Sequence, residues 1–229
     1  MFRYWILSLP LLSAPAGCGP YEEWLGDGVR SESGRGVFHY ECTSWGDPEC
    51  ELGDPDTSMR PMPDRIALTG RFDATISFSG TTVGVQSGSE QLVERTSDGL
   101  VAVAPGLVAV YGERGDRTVA GWIHIRIVEP AGLRLDGLQT TRLAAGDEYA
   151  VSASLVDDRG LSLGGGTDYQ WSTEDESVAT FAVANPFVPG AELDDSAILR
   201  AVGVGETTIR VESAGQLLEA TITVEESGP

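Results

Sequence analysis

Lysine is missing from this 229-residue chain: its 15 basic side chains are all arginine, its histidines number two, and 35 Asp and Glu stand against them. The formal charge is −20 at pH 7. Binding to phosphate needs a cationic footprint, so the composition excludes nucleic acid as a partner. It equally disfavours docking onto an anionic membrane surface through basic residues. Without lysine, no Gly-rich phosphate loop of the Lys-terminated kind can form. Long apolar runs are lacking too. The longest, in MFRYWILSLPLL, is about half of the ~20 residues that span a bilayer, so no transmembrane helix is expected. With 41% hydrophobic and 22% charged residues, the chain has the composition of a folded protein of one large or two ordinary domains.

The N-terminus does hold one positive residue, Arg3, ahead of its apolar stretch, which is the order of an export signal. Ser13-Ala14-Pro15-Ala16-Gly17-Cys18 follows. Ala16 and Gly17 directly before Cys18 resemble the processing site of bacterial lipoproteins. Pro15 departs from that pattern, where an aliphatic residue is usual. The resemblance implies a lipoprotein signal peptide over residues 1–17, lipidation of Cys18, and an outer-membrane lipoprotein of the cell envelope whose membrane partner is reached through the anchor. Cleavage at Ala14-Pro15-Ala16 by ordinary signal peptidase is the rival reading and would release a soluble periplasmic protein. Three cysteines in an exported chain leave one unpaired. Acylation of Cys18 removes the odd thiol and leaves Cys42 and Cys50 to pair.

Residues 19–36, rich in Gly, Ser and charge, read with Cys18 as a flexible tether with a reach of roughly 23 Å. Cys42 and Cys50 then enclose a turn-rich loop, expected to close as a disulfide worth about 2–3 kcal/mol. A zinc site built from His39, Cys42 and Cys50 with Asp47 or Glu49 is the alternative, although this spacing matches no structural zinc motif.

From Arg65 onward the pattern is strand after strand with Gly, Asp and Pro punctuation and no sustained helical spacing. Phe72, Ala74, Ile76 and Phe78 alternate onto one face. Ile123, Ile125 and Ile127 do the same, with Trp122, His124 and Arg126 opposite. Ile209 and Val211 point inward, as do Leu218, Ala220, Ile222 and Val224. One apolar and one polar face predicts an all-β fold of antiparallel sandwiches. Three blocks, beginning at Leu143, Trp171 and Ala201, carry Gly146 before a strand, Trp171-Ser-Thr with Val178-Ala179, and Ala201-Val-Gly203-Val-Gly205-Glu-Thr-Thr-Ile209. Together they resemble the bacterial Ig-like group 2 family over about residues 131–226, with a longer insert at residues 184–196. A fainter repetition aligns Gly70 with Gly146, Val85 to Val93 with Gln170 to Val178, which sets Gln86 where Trp171 stands, and Ala102 with Ala201. The expected architecture is two Ig-like β-sandwich domains in tandem, a diverged one over residues 37–129 and the group 2 domain over residues 130–229. So short a joint at Glu129-Pro130-Ala131-Gly132 suggests an end-to-end rod.

Chemistry is sparse. His124 sits on a polar strand face, reading as a solvated surface residue, and neither Gly-x-Ser-x-Gly nor His-Glu-x-x-His occurs. No catalytic residue or cofactor is assigned. Acidic pairs at Asp157-Asp158 and Asp194-Asp195, with Asp47, Asp54 and Asp56, raise calcium as a minor possibility, although no EF-hand loop is present. Residues 164–166, three consecutive glycines, read as a mobile inter-strand loop. The functional expectation is a non-catalytic, lipid-anchored envelope protein acting as a spacer or binding module toward an envelope protein or surface glycan. Loops at residues 160–167 and 184–196 would carry recognition. The alternatives are a small exported metalloprotein and a soluble subunit of an envelope assembly.

Overall fold

The computed structural model describes residues 28–41, 59–97, 99–183 and 195–227. Cys18, Cys42 and Cys50 lie outside the described residues, as does most of the 184–196 insert. Every helix-free expectation of the alternating pattern is met: among the described residues all regular elements are strands. The first unit contains β1 (Val29–Arg30), β2 (Val37–Glu41), β3 (Met59–Pro61), β4 (Arg65–Ala67) and β5 (Arg71–Phe78). It continues with β6 (Thr81–Ser87), β7 (Val93–Thr96), β8 (Gly99–Ala102), β9 (Gly106–Glu113) and β10 (Val119–Val128). The second holds β11 (Gly132–Asp136), β12 (Arg142–Ala144), β13 (Glu148–Val156) and β14 (Tyr169–Thr173). It ends with β15 (Ala179–Val183), β16 (Ser196–Ala201), β17 (Gly205–Ser213) and β18 (Gln216–Glu225).

Hydrogen bonds join the first ten strands into one folded-over sheet, along the path β1-β2-β5-β6-β9-β10-β4. Its two layers share β6, which pairs with β5 through Thr81 to Gly84 and with β9 through Val85 to Ser87. Phe38, Tyr40, Phe72, Ile76, Val110, Ile123, Ile125 and Ile127 fill the space between. Gly112 and Gly121, paired between β9 and β10, both abut Ile76 of β5; a Cβ on Gly112 would lie 2.1 Å from Ile76 Cγ2 and one on Gly121 2.9 Å from Ile76 Cδ1. The second unit is two stacked four-stranded sheets, β11-β13-β16-β15 and β12-β18-β17-β14. Between them Trp171 packs on Phe181, with ring centroids 5.1 Å apart, among Leu143, Leu199, Ile209 and Val211.

Residues 29–36, expected within the tether, belong to the fold instead. Val29 and Arg30 pair with Phe38 and Val37, the Ser31 side chain is buried, and the Glu32 N–H donates to the Trp122 carbonyl at 2.9 Å. Gly34 and Gly36 (φ +72° and +83°) turn the chain back, a conformation that costs glycine little. Composition alone read these turn residues as slack.

The two units repeat one frame. In each, a short strand runs parallel to the last one: β4 with β10 and β12 with β18. In each, a residue with left-handed backbone follows and donates its N–H to an alanine carbonyl: Thr69 to Ala102 at 2.9 Å, Gly146 to Ala201 at 2.8 Å. Likewise Leu92 accepts from the N–H of Val103, and Val178 from that of Val202. These bonds move the sequence alignment by one residue in its first two blocks. Thr69, not Gly70, matches Gly146. Val85, not Gln86, holds the place of Trp171, and both are buried. A one-residue slip reverses which side of a strand faces the core, which is why burial decides it. Replacing Val85 with Ala is expected to lower unfolding stability by about 2 kcal/mol, and Trp171 with Ala by about 3–5 kcal/mol, whereas Gln86→Ala stays within about 0.5 kcal/mol. Urea melts of the three variants check this order.

Candidate functional site: the junction between the units

Three residues, Glu129, Pro130 and Ala131, separate β10 from β11. The loop from β13 to β14 comes back across this joint. Its glycines, expected to be mobile, are fixed: Leu163, Gly164, Gly165 and Gly166 are all buried. They lie along the edge of the first unit as an added strand. The Ala67 N–H donates to the Gly164 carbonyl (2.9 Å) and the Gly164 N–H to the Arg65 carbonyl (3.0 Å). Arg71 and Gly166 exchange both bonds, at 2.9 and 2.7 Å. The Gly165 N–H donates to the buried Tyr40 hydroxyl at 3.0 Å.

Glycine is required by the approach. A Cβ on Gly164 would stand 2.7 Å from Pro63 Cγ, and one on Gly165 (φ +97°) 3.1 Å from Gly70 Cα. Beneath this strand Ala67, Leu155 and Leu163 form an apolar cluster of their own with Val128 and Leu133, drawn from both units. Sequence reading saw only the flexibility of three glycines; the signal it passed over is Leu161-x-Leu163 directly before them, which is alternation into a strand.

Asp157 locks the loop. Its carboxylate accepts the N–H groups of Arg159 and Leu161, both at 2.9 Å, and pairs with the Arg65 guanidinium of the other unit. The Asp157 side chain is 2% exposed and that of Arg65 17%. The Leu161 N–H above all, then the Arg159 N–H and the Arg65 charge, hold the Asp157 carboxyl below the usual carboxylate range, against the opposing effect of burial. Both Asp157 oxygens are thus engaged within the junction, while Asp158 is exposed beside Arg159. Asp195 is buried, and its carboxylate accepts from the Ser196 hydroxyl at 3.4 Å. Asp47, Asp54, Asp56 and Asp194 lie outside the described residues. Among the described residues no three His, Cys, Asp or Glu side chains gather as metal ligands.

The histidines sit apart. His39 is half-buried in β2 between Pro61 and Thr75, three residues before Cys42 in the sequence. His124 is paired rather than simply solvated: its backbone N–H (2.8 Å) and Nδ1 (2.9 Å) both meet the Glu32 carboxylate, which the imidazole hydrogen bond holds below its ordinary pKa. This pair clamps the first turn onto β10.

No protein-family model matches the chain, and no curated protein matches it in sequence. Solved structures do. The S-layer protein rSbsC is 18% identical over 69% of this chain and 23% of its own length, with a TM-score of 0.36. The Escherichia coli adhesin FdeC is 16% identical over 72% of this chain and 62% of its own, also at 0.36. A glycosyl hydrolase family 2 member from Bacteroides cellulosilyticus is 16% identical over 84% and 29%, again at 0.36. The chain thus spans under a quarter of the S-layer protein's length. Likenesses of this size assign neither activity nor partner, and the fold rests on the strand pairing described above.

Two outcomes follow from the junction. Gly165→Ala is expected to destabilise the chain by more than about 1 kcal/mol, because the native φ is positive and a methyl group would stand only 3.1 Å from Gly70 Cα and Ile66 Cγ2. Asp157 binds its proton less readily folded than unfolded, so its contribution is full above the unfolded pKa of about 3.9 and is lost as pH falls through the lower folded value. Melting temperatures of wild type and Asp157→Asn should therefore differ by a constant amount above about pH 5 and converge at acid pH. A gap that widens on acidification would contradict the assignment.

Proposed function

We propose that this protein is a non-catalytic component of the bacterial cell envelope, anchored through a lipid on Cys18, whose two Ig-like sandwiches act as a stiff spacer and binding module. The observation that carries this reading is the junction. Units joined by a short covalent linker ordinarily move against one another. Here a strand from one unit completes the edge of the other, with a cross-unit ion pair and a common apolar cluster. Each backbone hydrogen bond adds about 0.5–1.5 kcal/mol net, so the four strand-to-strand bonds oppose bending together. Such a joint suits a protein that must hold one end at a set distance from the other.

Two further features agree with the reading. Glu32 and Ser31 fasten the start of the folded region to β10, so residues 29–36 belong to the first unit rather than to a tether. Strands β2 and β3 pair through Glu41 and Met59, so the segment between them leaves and re-enters the sheet at adjacent positions; a disulfide between Cys42 and Cys50 would close a short loop within that segment. With residues 163–166 taken up by the junction, that part of the loop at residues 160–167 is withdrawn from recognition, while Gly160 and Leu161 stay exposed.

Mass spectrometry of the envelope fraction tests the anchor: a chain starting at a triply acylated Cys18 is expected, and Cys18→Ala should move the protein to the soluble fraction. An unmodified mature start at Gly17 would defeat the anchor. Nuclear relaxation tests the spacer, with one rotational correlation time expected for both units and two separate times for Gly165→Val. Two times in the wild type would defeat the stiff junction.

A further inference from the structure

Charge is spread unevenly along the molecule. Three turns build the end of the first unit away from the junction: residues 31–36, the β5–β6 hairpin and the β9–β10 hairpin. They pack together, since a Cβ on Gly36 would stand 2.9 Å from the Ser77 carbonyl oxygen and one on Gly121 2.6 Å from that of Arg35. Arg35, Arg114 and Arg117 belong to these turns, and none of the three is in an ion pair among the described residues. The Arg114 guanidinium lies over the Phe78 ring, 4.5 Å from its centroid, and its Nε has no hydrogen-bond partner among the described residues. Three acids share the turns, which makes this hairpin end neutral overall in a chain of −20. Two of them turn their oxygens back onto the protein: Glu32 onto His124, and Asp116 onto the Thr118 hydroxyl (2.6 Å) and N–H (3.0 Å). Glu113 is the third, and Val119 across from it is 51% exposed.

The far end of the second unit is the reverse. Its turns meet where the Gly146 N–H donates to the Ala201 carbonyl, the Ala145 N–H to that of Glu225, and the Gly203 N–H to that of Val178. Asp147, Asp175, Glu176, Glu206 and Glu226 are exposed in these turns. None of the five is in an ion pair among the described residues. The arginines beside them are taken, Arg142 by Glu225 and Arg200 by Glu148. One end thus carries guanidinium groups without ionic partners, and the other carries carboxylates without them.

We propose that the hairpin end rests on the phosphate headgroups of the bilayer that holds the Cys18 lipid, with the acidic end turned away. Guanidinium groups bind phosphate through paired N–H donors, and Arg114 has a donor that no described acceptor takes. A plane of headgroups suits three arginines that line no common pocket. Chain length argues for lipid over a protein partner: ten residues separate Cys18 from Gly28 and span at most about 35 Å on any path. Gly28 lies against Val37 and His39, so an anchored first unit stays within that distance of the bilayer. Whole-chain charge does not decide the contact, because charges more than about 10 Å from the surface are screened. This inference rests on the lipid anchor but not on the stiffness of the junction.

Energy transfer on the acylated protein tests it, in vesicles of phosphatidylcholine alone or mixed with phosphatidylglycerol. A donor dye sits on Thr81→Cys at the hairpin end or on Val204→Cys at the acidic end, and the acceptor on the headgroups. Phosphatidylglycerol is expected to raise transfer from position 81 and not from position 204, and added salt to remove the rise. Each arginine lost should weaken the docked state about fivefold. Arg35→Gln combined with Arg117→Gln then returns position 81 to its phosphatidylcholine value, with an unaltered thermal melt, while Arg200→Gln leaves the rise in place. No rise, or a rise that survives the double substitution, overturns the inference, as does greater transfer from position 204 than from position 81. Cross-links from the hairpin end to a protein in native envelopes, with no rise on vesicles, assign it to a protein contact and overturn it as well. A chain that binds neither kind of vesicle defeats the anchor and this inference with it, whereas a bound chain without the rise defeats this inference alone.

Discussion

Backbone meets backbone at the joint between the units, and the rest of the arrangement depends on that contact. Gly70 on one side and Gly164 and Gly165 on the other present no Cβ, which lets main-chain donors and acceptors reach each other. Once that strand is in place, Leu163 is carried into an apolar cluster spanning both units, and Asp157 is carried to Arg65. A buried carboxylate without those partners would be costly, and a buried glycine strand without paired amides equally so. Each of the three contacts is thus tolerable only because the other two exist.

The same frame, used twice, ends differently at its two edges. In the first unit the edge formed by Arg65, Ala67 and Arg71 is completed by the neighbour's strand. In the second, the corresponding Ala144 N–H meets the Tyr149 hydroxyl at 3.5 Å, which itself donates to Asp147 at 3.2 Å. Asp147 stands where the first unit has Gly70, so its side chain occupies the space through which a glycine strand would approach. Open strand edges invite unwanted pairing, and a polar side chain folded across one is a common way to blunt it. One edge receives a strand and the other is covered by Tyr149 and Asp147, where the first unit has Phe72 and Gly70.

The negative charge takes on two characters. Most of the described acids stay at the surface, where pairs such as Arg200 with Glu148 at 2.8 Å contribute little. Asp157 is different, because the protein surrounds it with N–H donors and one guanidinium and so uses charge to position a loop. Arginine suits that task, since its planar fork keeps its charge at any accessible pH. A chain without lysine meets all such needs with it.

The alternating runs at Phe72 to Phe78 and Trp122 to Ile127 were legible because a period of two fixes which side chains share a face, and the buried residues there are the ones that alternation selects. The Gly203-Val-Gly205 turn was legible for a similar local reason: a positive φ at Gly205 needs glycine whatever surrounds it. Register between the repeats was not legible, since shifting Gln86 or Val85 under Trp171 changes little in a string of letters and everything in burial. Nor was the fate of the three glycines. Freedom of the backbone is a property of the residue, and sequence determines it; whether that freedom is spent on motion or on close approach is decided by what lies 3 Å away. The sequence by itself determined an all-β chain of strongly negative charge. Only the tertiary structure decided that its most flexible-looking segment is the one that binds its halves together.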